Sequence, residues 1–279
     1  MRYVSFLRPD GTSGYGRLDG DGVADLSAAP GAPASLKDAL AEGRLAALEP
    51  AATLPLASLT LLPPIPDPGK IFCVGLNYAD HVAEMGREQK DHPAIFTRWA
   101  DTLVAHGQPL VVPCESPCLD YEGELAVIIG KGGRRIPREQ AMDHVFGFSV
   151  FNDGSVRDWQ RHNIQFTPGK NFPATGGFGP AIVTPDEVPD LAAQRVQTRV
   201  SGELLQDQPV ADLIFDVPAI IAYLSSFTVL SPGDVIATGT PGGVGDKRNP
   251  PLYMKGGDVC EISIGKVGTL VNPIIDEVI

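Results

Sequence analysis

From Lys70 onward the chain is written as short apolar runs: Ile71–Val74, Leu125–Gly130, Phe146–Asn152, Ala181–Thr184, Val196–Ser201, Asp234–Thr238 and Val259–Ile264. Each has the length of a strand and is bounded by turn-forming residues. Helix signals are few, at Asp80–Met85, Arg138–Met142 and Val217–Ser226, the last opened by Asp216 as cap with Pro218 in its first turn. They do not alternate regularly with the strands, which argues against a dinucleotide-binding doubly wound sheet and against an eightfold α/β barrel. The chain carries 31 glycines and 26 prolines, about a fifth of its 279 residues. That density of chain-turning residues leaves room for few long helices. The expectation is a β-rich α+β fold.

The N-terminal stretch reads as a separate small α/β module. Arg2–Leu7 and Tyr15–Leu18 are strand candidates around an Asp10-Gly11 turn, and Asp19-Gly20-Asp21-Gly22 supplies another. Residues 35–48 have apolar positions at helical spacing, with Ser35 placed as N-cap. The segment Pro63-Pro64-Ile65-Pro66-Asp67-Pro68-Gly69 then interrupts regular structure, so the expected division is 1–68 and 69–279.

Net charge is −12. Such a chain lacks the basic footprint that nucleic-acid or anionic-membrane binding needs, although a few local cations can still hold a small anion. No signal peptide is apparent at the N-terminus, and the longest uncharged stretch, 217–233, contains two prolines and three serines, unlike a membrane span. Cys73, Cys114, Cys118 and Cys260 do not have zinc-site spacing and read as reduced thiols. A soluble, cytoplasmic protein is expected.

Four features can carry chemistry. Asp120-Tyr121-Glu122-Gly123-Glu124 runs into the apolar strand Leu125–Ile129, and residues two apart on a strand share a face. Glu122 and Glu124 would therefore repel unless a proton or cation intervenes. An isolated Glu-x-Glu is usually a solvated strand edge. Here Asp153 ends a second apolar strand, and acids at two buried strand ends can converge. Three carboxylates suit a hard divalent cation, Mg²⁺ before Mn²⁺ or Ca²⁺. In the second feature, Gly75-Leu76-Asn77-Tyr78-Ala79-Asp80-His81-Val82-Ala83-Glu84, His81 and Glu84 meet on one helix face. A carboxylate on one imidazole nitrogen fixes the tautomer and raises the basicity of the other, although such a pair is also common on ordinary helix surfaces. The third is a polar run with Arg157 and Gln160, followed by Lys170 in a Pro-Gly-Lys-Asn turn. The fourth, Ala237–Gly245, superficially suggests a phosphate loop but lacks the required Gly-Lys-Ser/Thr opening a helix. It reads instead as a tight loop whose amides and Thr240 hydroxyl line a pocket.

Taken together, KIFCVGLNYADHVAE, DYEGELAVIIGK, GFSVFNDGSVRD, GKNF and LSPGDVIATGTPGGVG resemble the fumarylacetoacetate hydrolase superfamily over about Lys70 to Val278. The resemblance implies a mixed β-sandwich roll, a homodimer and a divalent metal, usually Mg²⁺. It implies Glu122, Glu124 and Asp153 as metal ligands and His81 with Glu84 as a water-activating dyad. Lys170 would bind and polarise substrate, Gln160 would position substrate or water, and Arg157 and Thr240 would lie in or beside the pocket. Arg98 stands where many relatives carry lysine in a Pro-x-x-Phe-x-Lys phrase, and arginine can grip a carboxylate bidentately.

The expected partner is a small anionic 2-oxo acid, with neither nucleic acid nor membrane. The expected reaction is hydrolytic C–C cleavage of a 2,4-dioxo acid, such as fumarylpyruvate, maleylpyruvate or a 2,4-dioxo sugar acid, to pyruvate and a carboxylic acid. The alternatives share the metal-enolate site: decarboxylation of an oxaloacetate-type diacid, or isomerisation or hydration of a 2-hydroxymuconate-type diacid. A non-catalytic ligand-binding relative is the remaining possibility, and the His81–Glu84 pair argues against it.

Overall fold

The computed structural model describes residues 1–278. A twelve-stranded mixed sheet forms the body of the molecule, and a five-stranded sheet packs against it. The central strand Gly123–Ile129 is buried along its whole length. It pairs antiparallel with Val145–Asn152 on one side and with Val235–Ala237 on the other. Val235–Ala237 then pairs parallel with Ile71–Gly75, and the edge strand Ala94–Thr97 closes that end. A strand buried on both faces is apolar over most of its length, which is why Leu125–Ile129 does not alternate, whereas Arg195–Val200 and Val259–Ile264 of the second sheet do.

The five-stranded sheet runs in the spatial order Glu203–Pro209, Arg195–Val200, Val259–Ile264, Gly268–Asp276 and Leu110–Val112. Val196, Val200, Leu205, Ile262, Ile264 and Leu270 from this sheet join Leu125, Val127, Phe148 and Val150 of the large one in a single core. This is the expected β-rich sandwich. The helix Val217–Phe227 packs Ile220, Ile221 and Leu224 inward, and Asp216 caps it by accepting the Ala219 N–H at 2.9 Å.

The first residues extend the same large sheet. Arg2–Leu7 pairs with Ser13–Asp19 and, on its other side, with Gly176–Val183 through Arg2↔Val183 and Tyr3↔Ile182. Gly22–Asp25 and Ala52–Pro55 complete the meander. Ser35 caps a helix as expected, but this helix covers only Leu36–Ala41 rather than the predicted span to residue 48. Gly43 adopts φ +65°, and the chain resumes as a short 3-10 turn at Leu45–Ala47. The helix expected at Arg138–Met142 is likewise a 3-10 segment, Arg138–His144. Among the described residues no helix is long and apolar enough to cross a membrane.

Candidate metal centre and active site

The acids converge because of strand register. Gly123 pairs with Asn152, so Glu122 and Asp153 are the next residues outward on adjacent antiparallel strands, and the Asp153 N–H donates to the Glu122 carbonyl at 2.9 Å. Glu124 lies two residues from Glu122 on the same face. Gly123 faces the opposite way into the second sheet, where a Cβ would come within 2.3 Å of Thr198 Oγ1. Glycine is therefore what lets the two sheets close behind the acids. One carboxylate oxygen from each of Glu122, Glu124 and Asp153 falls within 4.8 Å of the others, and all three residues are buried. Three hard, anionic oxygen donors in one buried cluster fit a divalent cation of the Mg²⁺ or Mn²⁺ type.

Three buried cations surround this triad. Lys170, on the single helical turn Thr167–Lys170, donates to Glu122 Oε2 at 2.6 Å, to Asp153 Oδ2 at 2.7 Å and to the Asp153 carbonyl at 3.1 Å. That turn rests on the helix Arg157–Gln160 at Gly169, where a Cβ would meet the Gln160 backbone nitrogen at 2.4 Å. Arg157 places Nη1 2.7 Å from Glu122 Oε1 and 3.0 Å from Gln160 Oε1. Arg98 donates from Nη1 to Asp153 Oδ1 and to the Gly154 carbonyl, both at 2.8 Å.

Electrostatics separates the carboxylates. Burial pushes the Glu122 carboxyl up, but the Lys170, Arg157 and His81 charges outweigh it and hold the group down to about 2. Glu124 has no such cation in contact. Burial, then the negative Asp153 and Glu122, push it well above the usual carboxylate range. Burial alone would lower Lys170, yet Asp153 and Glu122 raise it, so it remains an ammonium ion.

The helix Ala79–Glu84 brings the dyad to the same cluster. His81 Nδ1 lies 2.8 Å from Glu84 Oε1, while Glu84 Oε2 accepts the Gly243 N–H at 2.9 Å. Glu84 thus orients the ring from a fixed point and leaves Nε2 as the other imidazole nitrogen available for proton transfer. Asn77 anchors the entry to this helix: its Nδ2 donates to the Phe215 and Thr238 carbonyls, and its Oδ1 accepts the Phe215 N–H.

Several side chains sit differently from expectation. Arg98, expected to grip substrate, is 2% exposed and also donates to Thr102 and Thr175, so its fork is taken up by protein behind Asp153. Thr240 donates to the Gly123 carbonyl and accepts from Gln206 Nε2, which commits its hydroxyl to holding the loop. The loop amides expected to line a pocket instead serve site carboxylates: Gly239 N–H donates to Glu124 Oε2 at 2.8 Å, and Gly243 N–H to Glu84. Lys170 has three N–H groups and three protein acceptors, so toward substrate it acts through its charge. Gln160 is half-buried and reaches the cluster through Arg157. The residues not singled out from sequence are Asp120, Asn77 and Gln206. Asp120 and Asn77 lie inside the motif phrases, but apart from the Tyr121 N–H on Asp120 their side-chain partners lie 37 to 161 residues away.

Residues 70–275 match the fumarylacetoacetate (FAA) hydrolase C-terminal family. The mitochondrial oxaloacetate tautomerase fahd2 of Xenopus laevis is 39% identical over 99% of this chain and 90% of its own length. The oxaloacetate tautomerase YisK of Bacillus subtilis is 44% identical over 78% of this chain and 74% of its own. Among solved structures, maleylpyruvate hydrolase from Sphingobium sp. SYK-6, in complex with manganese(II) and pyruvate, superposes with a TM-score of 0.80 at 30% identity, covering all of both chains. With its buried acid triad and His–Glu pair on the matched segment, the chain belongs to the fumarylacetoacetate hydrolase family.

Proposed function

We propose that the protein interconverts the keto and enol forms of a small oxaloacetate-type 2-oxo diacid. The observation that carries this reading is the near-full-length identity to an oxaloacetate tautomerase. Glu122, Glu124 and Asp153 would hold a divalent cation, Mg²⁺ before Mn²⁺ or Ca²⁺. When bound, it supplies Lewis acidity at the 2-oxo oxygen. His81, oriented by Glu84, removes or returns the proton at C3, and solvent exchanges the proton on the C2 oxygen.

Charge supports an anionic substrate. Arg98, Arg157 and Lys170 stand among Asp120, Glu122, Glu124 and Asp153, all buried. With those carboxylates ionised and a divalent cation bound, the cluster carries one positive charge in excess. Arg157 Nη2 lacks any acceptor although the residue is 1% exposed. A substrate carboxylate would satisfy that group, whose isolation otherwise costs about 1–3 kcal/mol.

Hydrolysis of an acylpyruvate is the second reading, favoured by the same dyad acting on water and by the likeness to maleylpyruvate hydrolase. Decarboxylation of the diacid would use the same residues. We further propose a cytosolic homodimer on the family resemblance, its assembly to be tested by light scattering.

One experiment separates the reactions. Metal-stripped protein is given enol oxaloacetate and a panel of acylpyruvates, before and after Mg²⁺ or Mn²⁺, while enol absorbance, pyruvate and CO₂ are followed. Metal-dependent loss of oxaloacetate enol without pyruvate or CO₂ supports tautomerisation. Pyruvate with a second acid and no CO₂ would replace that reading with hydrolysis, and CO₂ from oxaloacetate would replace it with decarboxylation.

A further inference from the structure

Asp120 lies two residues before Glu122 but outside the ligand triad, and it is fully buried. Its Oδ1 accepts the N–H groups of Tyr121 at 2.8 Å and Gly245 at 2.9 Å. Its Oδ2 accepts Arg157 Nε at 2.8 Å and the Asp246 N–H at 3.0 Å. Four donors fill the acceptor capacity of one carboxylate. At Gly245 a Cβ would lie 2.7 Å from Asp120 Oδ1 and 1.8 Å from the Leu252 carbonyl, so only glycine admits this approach.

Two paths leave this carboxylate. Through Arg157 it reaches Glu122 Oε1 and Gln160 Oε1. Through the loop that begins at Gly243 it reaches Glu84 Oε2, and from Glu84 Oε1 the His81 Nδ1. Tyr121 braces this loop, donating its hydroxyl to the Gly243 carbonyl at 3.0 Å. The Asp246 side chain accepts the Tyr253 hydroxyl and pairs with Arg161 on the exposed stretch that follows the helix Arg157–Gln160.

We infer that Asp120 is a positioning residue that sets, from one buried carboxylate, both the aim of the Arg157 guanidinium and the orientation of His81. The inference rests on reading His81 as the base and Arg157 as substrate-facing. An ordinary structural anchor would hold the fold without tuning either group.

The test is Asp120→Asn in the full chain with saturating Mg²⁺. Whichever way the amide is turned, its NH₂ faces two N–H donors, so one pair of contacts is lost while side-chain volume is kept. The expected result is a kcat lowered by ~10–100-fold with KM raised several-fold. The pH limb of kcat/KM belonging to His81 should also shift, with Mg²⁺ affinity within about threefold of wild type. Tyr121→Phe loosens only the loop path and should lower kcat a few-fold at unchanged KM.

Reduced thermal stability with wild-type kcat, KM and pH profile would overturn the inference, as would loss of Mg²⁺ affinity in step with activity. If Asp120→Asn does not fold, Tyr121→Phe decides, and an unchanged kcat and pH profile there overturns the inference. His81→Ala is measured alongside: wild-type turnover in that variant sinks the general-base reading itself. An inactive His81→Ala beside an unaltered Asp120→Asn sinks only the role of Asp120.

Discussion

The floor of the site and the two exposed flanks that run on from its helices are built by opposite means. In the floor, Glu122 and Asp153 end paired central strands, and each of their four carboxylate oxygens contacts a buried arginine or lysine. In the flanks, residues 86–92 and 161–165 are exposed, with Ile164 at 90%, and Arg161 ties the second stretch to the body by pairing with Asp246. His81 and Glu84 stand at the boundary, on a short helix whose far end runs into the exposed stretch. The Glu122 and Asp153 charges are compensated before any ligand arrives, so metal binding meets a preorganised pair of donors beside Glu124. The flanks contribute little to holding the fold together, and substitutions there come at small cost in stability.

The largest effect comes from breaking the floor. Glu122→Ala leaves Lys170 and Arg157 buried without a shared counter-charge and should cost about 3–5 kcal/mol of stability, together with metal affinity and activity. Chemical denaturation and Mg²⁺ titration check this. Retained metal affinity would remove Glu122 from the ligand set.

The boundary should respond in activity alone. His81→Ala is expected to lower kcat by ~10²–10⁴-fold while Mg²⁺ affinity and melting temperature stay at wild-type values. A coupled fall in metal affinity would place His81 in the floor instead.

Acid sharpens the contrast in metal-free protein. Glu122 has a folded-state value below its unfolded one, so its contribution is present above about 4.5 and is lost as pH falls toward about 2. Glu124 is shifted the other way: its contribution is present below the unfolded value and is lost as pH rises through its elevated folded value. Stability of the metal-free protein should therefore climb out of the acid range and then be eroded by Glu124, and Mg²⁺ should restore it most at the higher pH. Denaturation midpoints across pH, with and without Mg²⁺, would show this. A Mg²⁺ increment independent of pH would refute it.

The smallest effect belongs to the exposed flanks. Ile164→Ser should change stability by less than about 0.5 kcal/mol. A larger loss would show that this stretch is packed, contrary to its exposure.

What could be read from the sequence follows the range of the interactions. The acids and the dyad were legible because strand period and helix spacing are local rules, and the family phrases preserve their order. The capping roles of Ser35 and Asp216 were legible for the same reason. Arg98 was misread because its acceptors on Asp153, Gly154, Thr102 and Thr175 come from separate segments, and a guanidinium looks the same whether it faces substrate or protein. The strand Glu203–Pro209 escaped notice because it carries polar residues inward. Gln206 is 1% exposed, yet it bonds Thr198 on the neighbouring strand and Gly123, Thr240 and Pro241 across the sheet gap. The short helix after Ser35 was overextended because apolar periodicity continues past Gly43, where the backbone turns left-handed.

The pairing of Arg2–Leu7 with Gly176–Val183 has a consequence for how the chain is made. Arg2–Leu7 can form its hairpin with Ser13–Asp19 as soon as both leave the ribosome, but its partner Gly176–Val183 is not yet synthesised. At typical elongation rates that partner follows roughly 10–30 s later. Throughout that interval the nascent meander exposes an open backbone edge at Arg2 and Tyr3, while Phe6 and Leu7 can already pair with Thr60–Leu61, and strand edges of this kind recruit other chains. The central sheet is thus completed across its longest sequence separation, a high-contact-order step. An N-terminal hairpin left half-paired for that long makes yield during synthesis sensitive to crowding and to substitutions that destabilise it.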